Sequence, residues 1–381
     1  MTDHRFSHEP SVAIDLSRRK DGGRSVRDSM YEVTRVAAPY VTMARLSLRR
    51  LVRDRVARAG ALVLACLALV AVFADVLASD LPVACSWRGT TYVLPNVTRP
   101  AALEGLDIDR MRAQEGPGDW LVAPLVAHGP LETAGPEEQL LPPLTRGHPA
   151  GTDTLGRDVF ARVVYGARTA LTLGLGASFI LVAIGVLLGA IAGFAGGVFD
   201  SLVTRAVEAL TAIPTLVLVL VVVATVPHPT TATLVWTIAL TRWTELARLV
   251  RGEVLTTLGT DYVTAARAIG ATPVRILWRH VLPNAIGPAI VAAAFGVASL
   301  VQMEAAVDFL HVGMPDTMAS WGEAMGEARG HEGAWWLVVF PGLALLATLV
   351  ALNLVGDGAR DAIDPRQAPV GGGAPTEGPG Q

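Results

Sequence analysis

The sequence predicts an all-α polytopic membrane protein with six transmembrane helices and a long extracytoplasmic loop after the first. Composition is the first reason: of 381 residues, 51% are hydrophobic and 17% charged, with a formal net charge of -3. A soluble domain carries roughly 25% charged residues. Apolar runs near the roughly 20 residues that cross a bilayer recur at 59–79, 169–195, 209–226, 231–249, 286–307 and 334–356. The third reason is where the basic residues accumulate, since charge on a membrane protein matters by position more than by sum.

Ahead of the first run stand Arg18, Arg19, Lys20, Arg24, Arg27, Arg35, Arg45, Arg49, Arg50, Arg53, Arg55 and Arg58. The positive-inside rule places that segment, 1–58, in the cytoplasm. The run 59–79 comes too late and is too long for a cleaved signal peptide and reads as an anchor. LPVAC at 81–85 puts Pro82 where a lipoprotein cleavage site wants an aliphatic residue. Cys66 lies inside the run and Cys85 beyond its end, which argues against a disulfide between them.

Segment 80–165 is then extracytoplasmic and rich in Pro, Gly and acidic residues. TTYVLP suits a short strand, while EGPGDW and LPPLTRGHP read as turns. That composition fits a small ordered cap and a loose loop equally.

The core, 166–358, holds the remaining five runs. In the second, Gly185, Gly189 and Gly193 recur every fourth residue, so one helix face is bare and a neighbouring helix can approach closely. Pro214 and Pro341 begin or kink helices. The fourth run contains Arg242 and Glu245, so its last turns leave the lipid or face protein. Six crossings return the tail, 359–381, to the cytoplasm, and its Gly/Pro-rich end from Ala368 reads as disordered. The pattern contains its own check. The loop between runs four and five must also be inside, and it carries Arg251, Arg267, Arg275 and Arg279. Between runs five and six, Arg329 is the only basic residue among Asp308, Asp316, Glu323, Glu327 and Glu332.

Catalytic patterns are missing from the sequence. The only lysine, Lys20, is followed by Asp21 and has no glycine array before it, so no phosphate-binding loop of the GxxxxGK[ST] kind is present. His331-Glu332 begins like a metalloprotease helix, but Trp335 stands where the second histidine belongs. GLGASF at 174–179 lacks a third glycine, and the scattered histidines assign no metal site. Glu304 and Asp308 share one helix face near the outer end of run five. They fit either a proton or ion path or, at a span end where charges reach water and headgroups, an interfacial pair meeting the outer loop or a partner subunit.

The loop 260–284 is different in kind. Thr260 or Asp261 can cap a first helix over 262–269, and Gly270 can end it in a left-handed turn. Thr272 caps a second helix with Pro273 at its first position, and this helix ends at Leu282-Pro283-Asn284. The product is a stiff helix-turn-helix on the cytoplasmic face, suited to mechanical contact. The same residues also fit an amphipathic connector with Trp278 and Arg279 at the headgroups.

AARAIG (265–270) followed by VRILWRHVLPN (274–284) resembles the EAA loop of the membrane-spanning subunits of ABC importers. HPAGTDTLGRDVFARVVYGARTAL (148–171), SWGEAMGEA (320–328) and the stretch from Trp335 to Arg366 resemble, in order, the C-type permease subunit of dipeptide, oligopeptide and nickel importers. This resemblance implies the type I ABC importer permease fold in the bacterial inner membrane and a transport subunit that is no enzyme. It implies alternating access, with a soluble extracytoplasmic binding protein delivering the passenger and a second, homologous B-type permease completing the path. Two separate ATPase subunits would use ATP and Mg and push on the loop, so the chain itself would bind no cofactor. The coupling residues would be Asp261, Thr264, Ala265, Ala266, Gly270, Arg279, Leu282 and Pro283. Thr264 stands where the family's naming glutamate belongs, with Asp261 one turn earlier as a substitute. EAAVDFLHVG (304–313) departs from the family's EASLSFLGLG in Asp308 and His311, which replace small residues; with Glu304 they are candidates for a gate or partner contact. The resemblance implies peptides or similar solutes as passengers, with nickel or other metal complexes as the alternative. An ion-coupled secondary transporter and a membrane-anchored scaffold with an outer sensing cap are the remote readings.

Overall fold

The computed structural model describes residues 54–312 and 318–363. The arginine-rich segment up to residue 53, the tail after 363 and Asp316 lie outside them. The first helix, α1 (Arg55–Val72), starts where the Asp54 carboxylate accepts the backbone N–H groups of Val56 and Ala57. A short α2 (Ala74–Leu77) follows and leads into a folded cap.

Of the two states open to segment 80–165, the ordered cap is the one found. Strands β1 (Ala84–Trp87), β2 (Thr90–Val93) and β3 (Trp120–Val122) form an antiparallel sheet in the order β2-β1-β3, with Cys85 opposite Tyr92 and Leu121. Two short helices, α3 (Pro95–Thr98) and α4 (Ile108–Ala113), complete it. Leu81, Cys85, Trp87, Leu103 and Met111 make a small core of their own, too little to hold so short a sheet without neighbours. Polar ties anchor the start of the cap to the bundle: Tyr165 donates to Asp75 Oδ1 at 2.7 Å, and Arg168 pairs with Asp75 at 2.7 Å. Burial opposes charge on Asp75, but Arg168 and Tyr165 outweigh it and hold the carboxyl below its usual range. Both cysteines are free thiols.

The longest helix, α5 (Val159–Ala195), begins ten residues before the predicted run, inside the segment read as loop, because Asp158 caps it by accepting from Ala161 N–H at 2.7 Å. After it come α6 (Gly197–Thr211) and α7 (Thr215–Thr225), bent by 86° across the break at Pro214. The predicted third run, 209–226, is thus a broken element. Helix α8 (Thr231–Leu258) opens with a capping box between Thr230 and Thr233 and continues past the predicted end at 249. Arg242 and Glu245 pair with each other at 3.3 Å on its flank.

Beyond the charged loop lie α11 (Leu282–Phe309), the short α12 (Trp321–Glu327) and α13 (Trp336–Ile363), with Pro288 inside α11 and Pro341 inside α13. Among the described residues four helices are long and apolar enough to cross a membrane: Arg55–Val72, Val159–Ala195, Pro273–Phe309 and Trp336–Ile363. The bent α6–α7 pair would make a fifth. Charges at Arg242, Glu245, Arg248, Arg251 and Glu253 keep α8 off that reckoning despite its length.

Helix α5 is the hub, packing on α1, α2, α6, α8, α11, α12 and α13. Its closest partner is α8. A Cβ on Gly185 would lie 2.9 Å from Leu246 Cβ, one on Gly189 would collide with the Ala247 carbonyl, and one on Gly193 would lie 2.9 Å from the Arg251 carbonyl. Replacing Gly189 by Val is therefore expected to destabilise the bundle by about 3 kcal/mol or more. Gly252→Ala, on the open side of α8, is expected to raise stability by about 0.5 kcal/mol. Thermal unfolding of the two variants in detergent micelles checks both, and equal midpoints would refute the close-contact account.

Candidate functional site

The charged loop leaves α8 at Gly259 and forms α9 (Asp261–Ala268). Thr260 sits at the cap position, but its hydroxyl donates back to the Thr257 carbonyl at 2.6 Å and makes no bond to the helix it precedes. Gly270, at φ +85°, turns the chain, and nothing lies within 4 Å of where its Cβ would be. Only the backbone conformation calls for glycine there. Thr272 accepts from Arg275 N–H, and Pro273 opens α10 (Pro273–Ile276).

The expected end of this second helix at Leu282-Pro283-Asn284 is not found. A π-helical turn at Leu277–Val281 runs straight into α11, so that Pro273–Phe309 is one rod. Pro283 has no N–H and its ring would press on the carbonyl four residues back; the wider π turn removes that conflict without ending the helix.

Val263, Ile276, Val281 and Leu282 anchor the loop in the main core beside Val254 of α8. Asn284 Nδ2 donates to the Tyr262 hydroxyl at 2.8 Å, tying α9 to the start of α11. The opposite face is bare: Ile269 is 87% exposed, Val274 67% and Trp278 64%. Arg267, Arg275 and Arg279 are exposed beside them, as are Asp261, Thr264 and Ala265. Ala266 is buried and Pro283 partly so. Thr264 returns its hydroxyl to the Thr260 carbonyl at 3.3 Å, leaving no charge where the resemblance expects one. Apolar side chains are thus exposed on this face with arginines around them.

At the other end of the bundle the structure gathers charges that the sequence reading left unassigned. Arg157 donates to Asp153 at 2.7 Å and pairs with Glu327. Arg162 donates to Glu327 at 2.6 Å, pairs with Asp153, and lies 3.0 Å from Glu323 without hydrogen-bond alignment. Thr154 donates to the other Glu327 oxygen at 3.0 Å. All five charged side chains are buried or nearly so, and they join the loop before α5 to α12. Spacing carried the missed signal, since Asp153 and Arg157 stand four apart and so do Glu323 and Glu327.

Glu304 and Asp308 lie beside this cluster on successive turns of α11. Of the readings open to them, neither exposure to water nor to headgroups is found: both are buried against α12, in the segment between runs five and six. His311, by contrast, is exposed at φ +57°, 3.0 Å from Arg329. In the cap, a cleft of about 440 Å³ is lined by Arg112, His128, Glu132, Arg146, His148 and Asp158. The His128 and His148 rings stack at 4.3 Å, and His148 bonds Asp158 at 2.7 Å. Burial pushes the Glu132 carboxyl up, against the opposing Gly129 N–H and His128. Among the described residues no group of three or more His, Cys, Asp or Glu is placed to hold a metal ion.

Long apolar helices packed through small residues, with a polar loop exposed between two of them, describe a polytopic membrane protein. Comparison with known proteins gives the family. Residues 185–369 match the family described as binding-protein-dependent transport system inner membrane component, and residues 42–87 match the N-terminal TM domain of oligopeptide transport permease C. The di/tripeptide transport system permease protein of Pseudomonas aeruginosa is 40% identical over 57% of this chain and 71% of its own. The dipeptide transport system permease protein of Bacillus subtilis is 38% identical over 60% and 72%, and the oligopeptide transport system permease protein of the same organism is 36% identical over 59% and 73%. The chain belongs to this family and is a multi-pass inner-membrane permease subunit of an ABC importer.

Removing one partner from a buried ion cluster leaves a charge uncompensated, at a cost of about 3–5 kcal/mol. Arg162→Gln is expected to lose that much stability, whereas Arg99→Gln, at an exposed pair with Asp80, is expected to lose at most about 1 kcal/mol. Denaturant unfolding of the two variants measures the difference.

Proposed function

We propose that this subunit forms half of the path for peptides or similar small solutes, and that segment 260–284 is where separate ATPase subunits bind and push. The observation that carries the reading is the bare apolar face of Ile269, Val274 and Trp278, held on a loop anchored from behind and continuous with the rod of α11. ATP closes the ATPase pair, the loop moves, and α11 and α8 tilt with it. ATP and Mg are used in those partners, and this chain supplies the lever. The coupling residues are Asp261, Thr264, Ala265, Ala266, Gly270, Arg279, Leu282 and Pro283.

In this reading the chain crosses the membrane six times, at α1, α5, the bent α6–α7 pair, α8, α11 and α13. Segments 1–58 and 359–381 then lie in the cytoplasm with the loop, and the 80–165 cap faces outward, where a substrate-binding protein delivers the passenger. A B-type permease subunit completes the path, with α8 turning its charged flank to protein. Peptides are preferred over nickel or other metal complexes because the relatives above are described as di/tripeptide, dipeptide and oligopeptide permeases.

Two substitutions test the coupling. Gly270→Val forces a β-branched residue to φ +85° and is expected to abolish ATP-driven uptake while the protein stays in the membrane. Trp278→Ala is expected to weaken retention of the ATPase subunits about tenfold or more without altering the unfolding midpoint. Unchanged retention would place Trp278 among lipid headgroups and defeat the docking assignment. Uptake by the reconstituted complex, competed with dipeptides, oligopeptides and nickel complexes, decides the passenger.

A further inference from the structure

Glu304 and Asp308 are 2% and 1% exposed and stand four residues apart, on one face of α11. Ser320, the cap of α12, donates to Glu304 Oε1 at 3.0 Å and accepts from Gly322 N–H at 3.1 Å. A hydroxyl has one proton to donate, and that proton is spent. Among the described residues, Glu304 Oε2 and both side-chain oxygens of Asp308 meet no hydrogen-bond donor.

Among the described residues no neighbouring cation balances the pair. From α12 comes Glu323, of the same sign. At the start of α5, Arg157 and Arg162 already serve Asp153, Glu323 and Glu327, so two cations face three carboxylates before Glu304 and Asp308 are counted. On α8, Arg242 and Glu245 pair with each other. Helix α7 has no charged residue, and α13 has none from Trp336 to Gly356. At the exposed edge, Arg329 is engaged with the Phe309 carbonyl and His311. Nor can α12 retreat to admit water cheaply, since it lies so close to α11 that a Cβ on Gly322 would collide with the Ala305 carbonyl. Two ionised carboxylates side by side in such a place would carry desolvation and mutual repulsion with nothing to offset either.

We propose that Glu304 and Asp308 form a proton-binding site, in which one proton taken from water lies between the two carboxyl groups, donated as O–H by one and accepted by the other. The proton supplies the missing donor, halves the charge of the pair and seats α12 on α11. The pair titrates as a unit, and the seat forms whether the passenger is a peptide or a metal complex.

The full chain in lipid nanodiscs at pH 7 tests this by infrared spectroscopy. The wild type is expected to show the C=O stretch of a buried carboxylic acid, shifted in D2O, and both Asp308→Asn and Glu304→Gln are expected to lose it. A spectrum in which neither substitution changes the carboxylic-acid region would mean that both groups are ionised, as a bound sodium ion would require, and would overturn the proposal. A linked readout is stability. Folding that takes up this proton is expected to make the wild-type unfolding constant rise with pH, by about tenfold per pH unit, relative to Asp308→Asn. Parallel pH profiles for wild type and variant would refute it.

Discussion

The contact between α5 and α8 sets the conditions for the rest of the fold. In a bilayer there is no hydrophobic drive between helices, so association depends on how closely two backbones approach. Gly185, Gly189 and Gly193 remove the side chains that would hold α8 away, and each is filled by backbone or a short side-chain stem of α8. With that spacing fixed, α5 can take α1, α11 and α13 on its other sides. The small cap is in turn held by residues of α5, through Tyr165 and Arg168 on Asp75.

The two ends of the bundle treat polarity in opposite ways. At the loop end, arginines and apolar side chains lie in the open, where an unpartnered bundle gains nothing from them and a docking protein could. At the cap end, Asp153, Arg157, Arg162, Glu323 and Glu327 are withdrawn from water and paired with one another. Such a cluster is weak evidence for net stability, because desolvation offsets much of the attraction. It does fix geometry, since a misplaced partner leaves a bare charge. Precision at the cap end and availability at the loop end are what a subunit needs if it is moved from one side and must close on the other.

Much of this was legible in the sequence, and the failures have physical causes. Repeats of small residues and caps followed by proline are local signals, so the glycine face of α5 and the turn at Gly270 could be read directly. Pro283 misled because a proline in a sequence says that an ordinary helix is interrupted, not how the backbone accommodates it; the π turn is one of several answers. Glu304 and Asp308 misled because their environment is supplied by Ser320 and α12, sixteen residues away in sequence and adjacent in space. Two carboxylates near the end of an apolar run look solvated until that short helix is laid across them. The Arg162 cluster joins residues more than 160 apart, and no periodicity reports such a contact. Only the four-residue spacings within each half were visible.

Continuity of the rod from Pro273 to Phe309 links these observations. At 1.5 Å per residue its 37 residues span about 55 Å, with the exposed Val274 and Trp278 at one end and the Glu304–Asp308 pair at the other. A rigid helix transmits tilt, and this one has two places where tilt can be absorbed, the π turn at Leu277–Val281 and Pro288. Both lie nearer the loop, so the segment from Ala289 to Phe309 would move as one piece in the proposed coupling. At its far end that piece rests on α12 through Ser320 and the close approach of Gly322 to Ala305. If that contact separated, water would have to reach the two buried carboxyl groups. In the proposed coupling, a push at the exposed loop would therefore be felt at the opposite end through this rod, and two discrete arrangements of the α11–α12 contact are what coupling between distant sites would require.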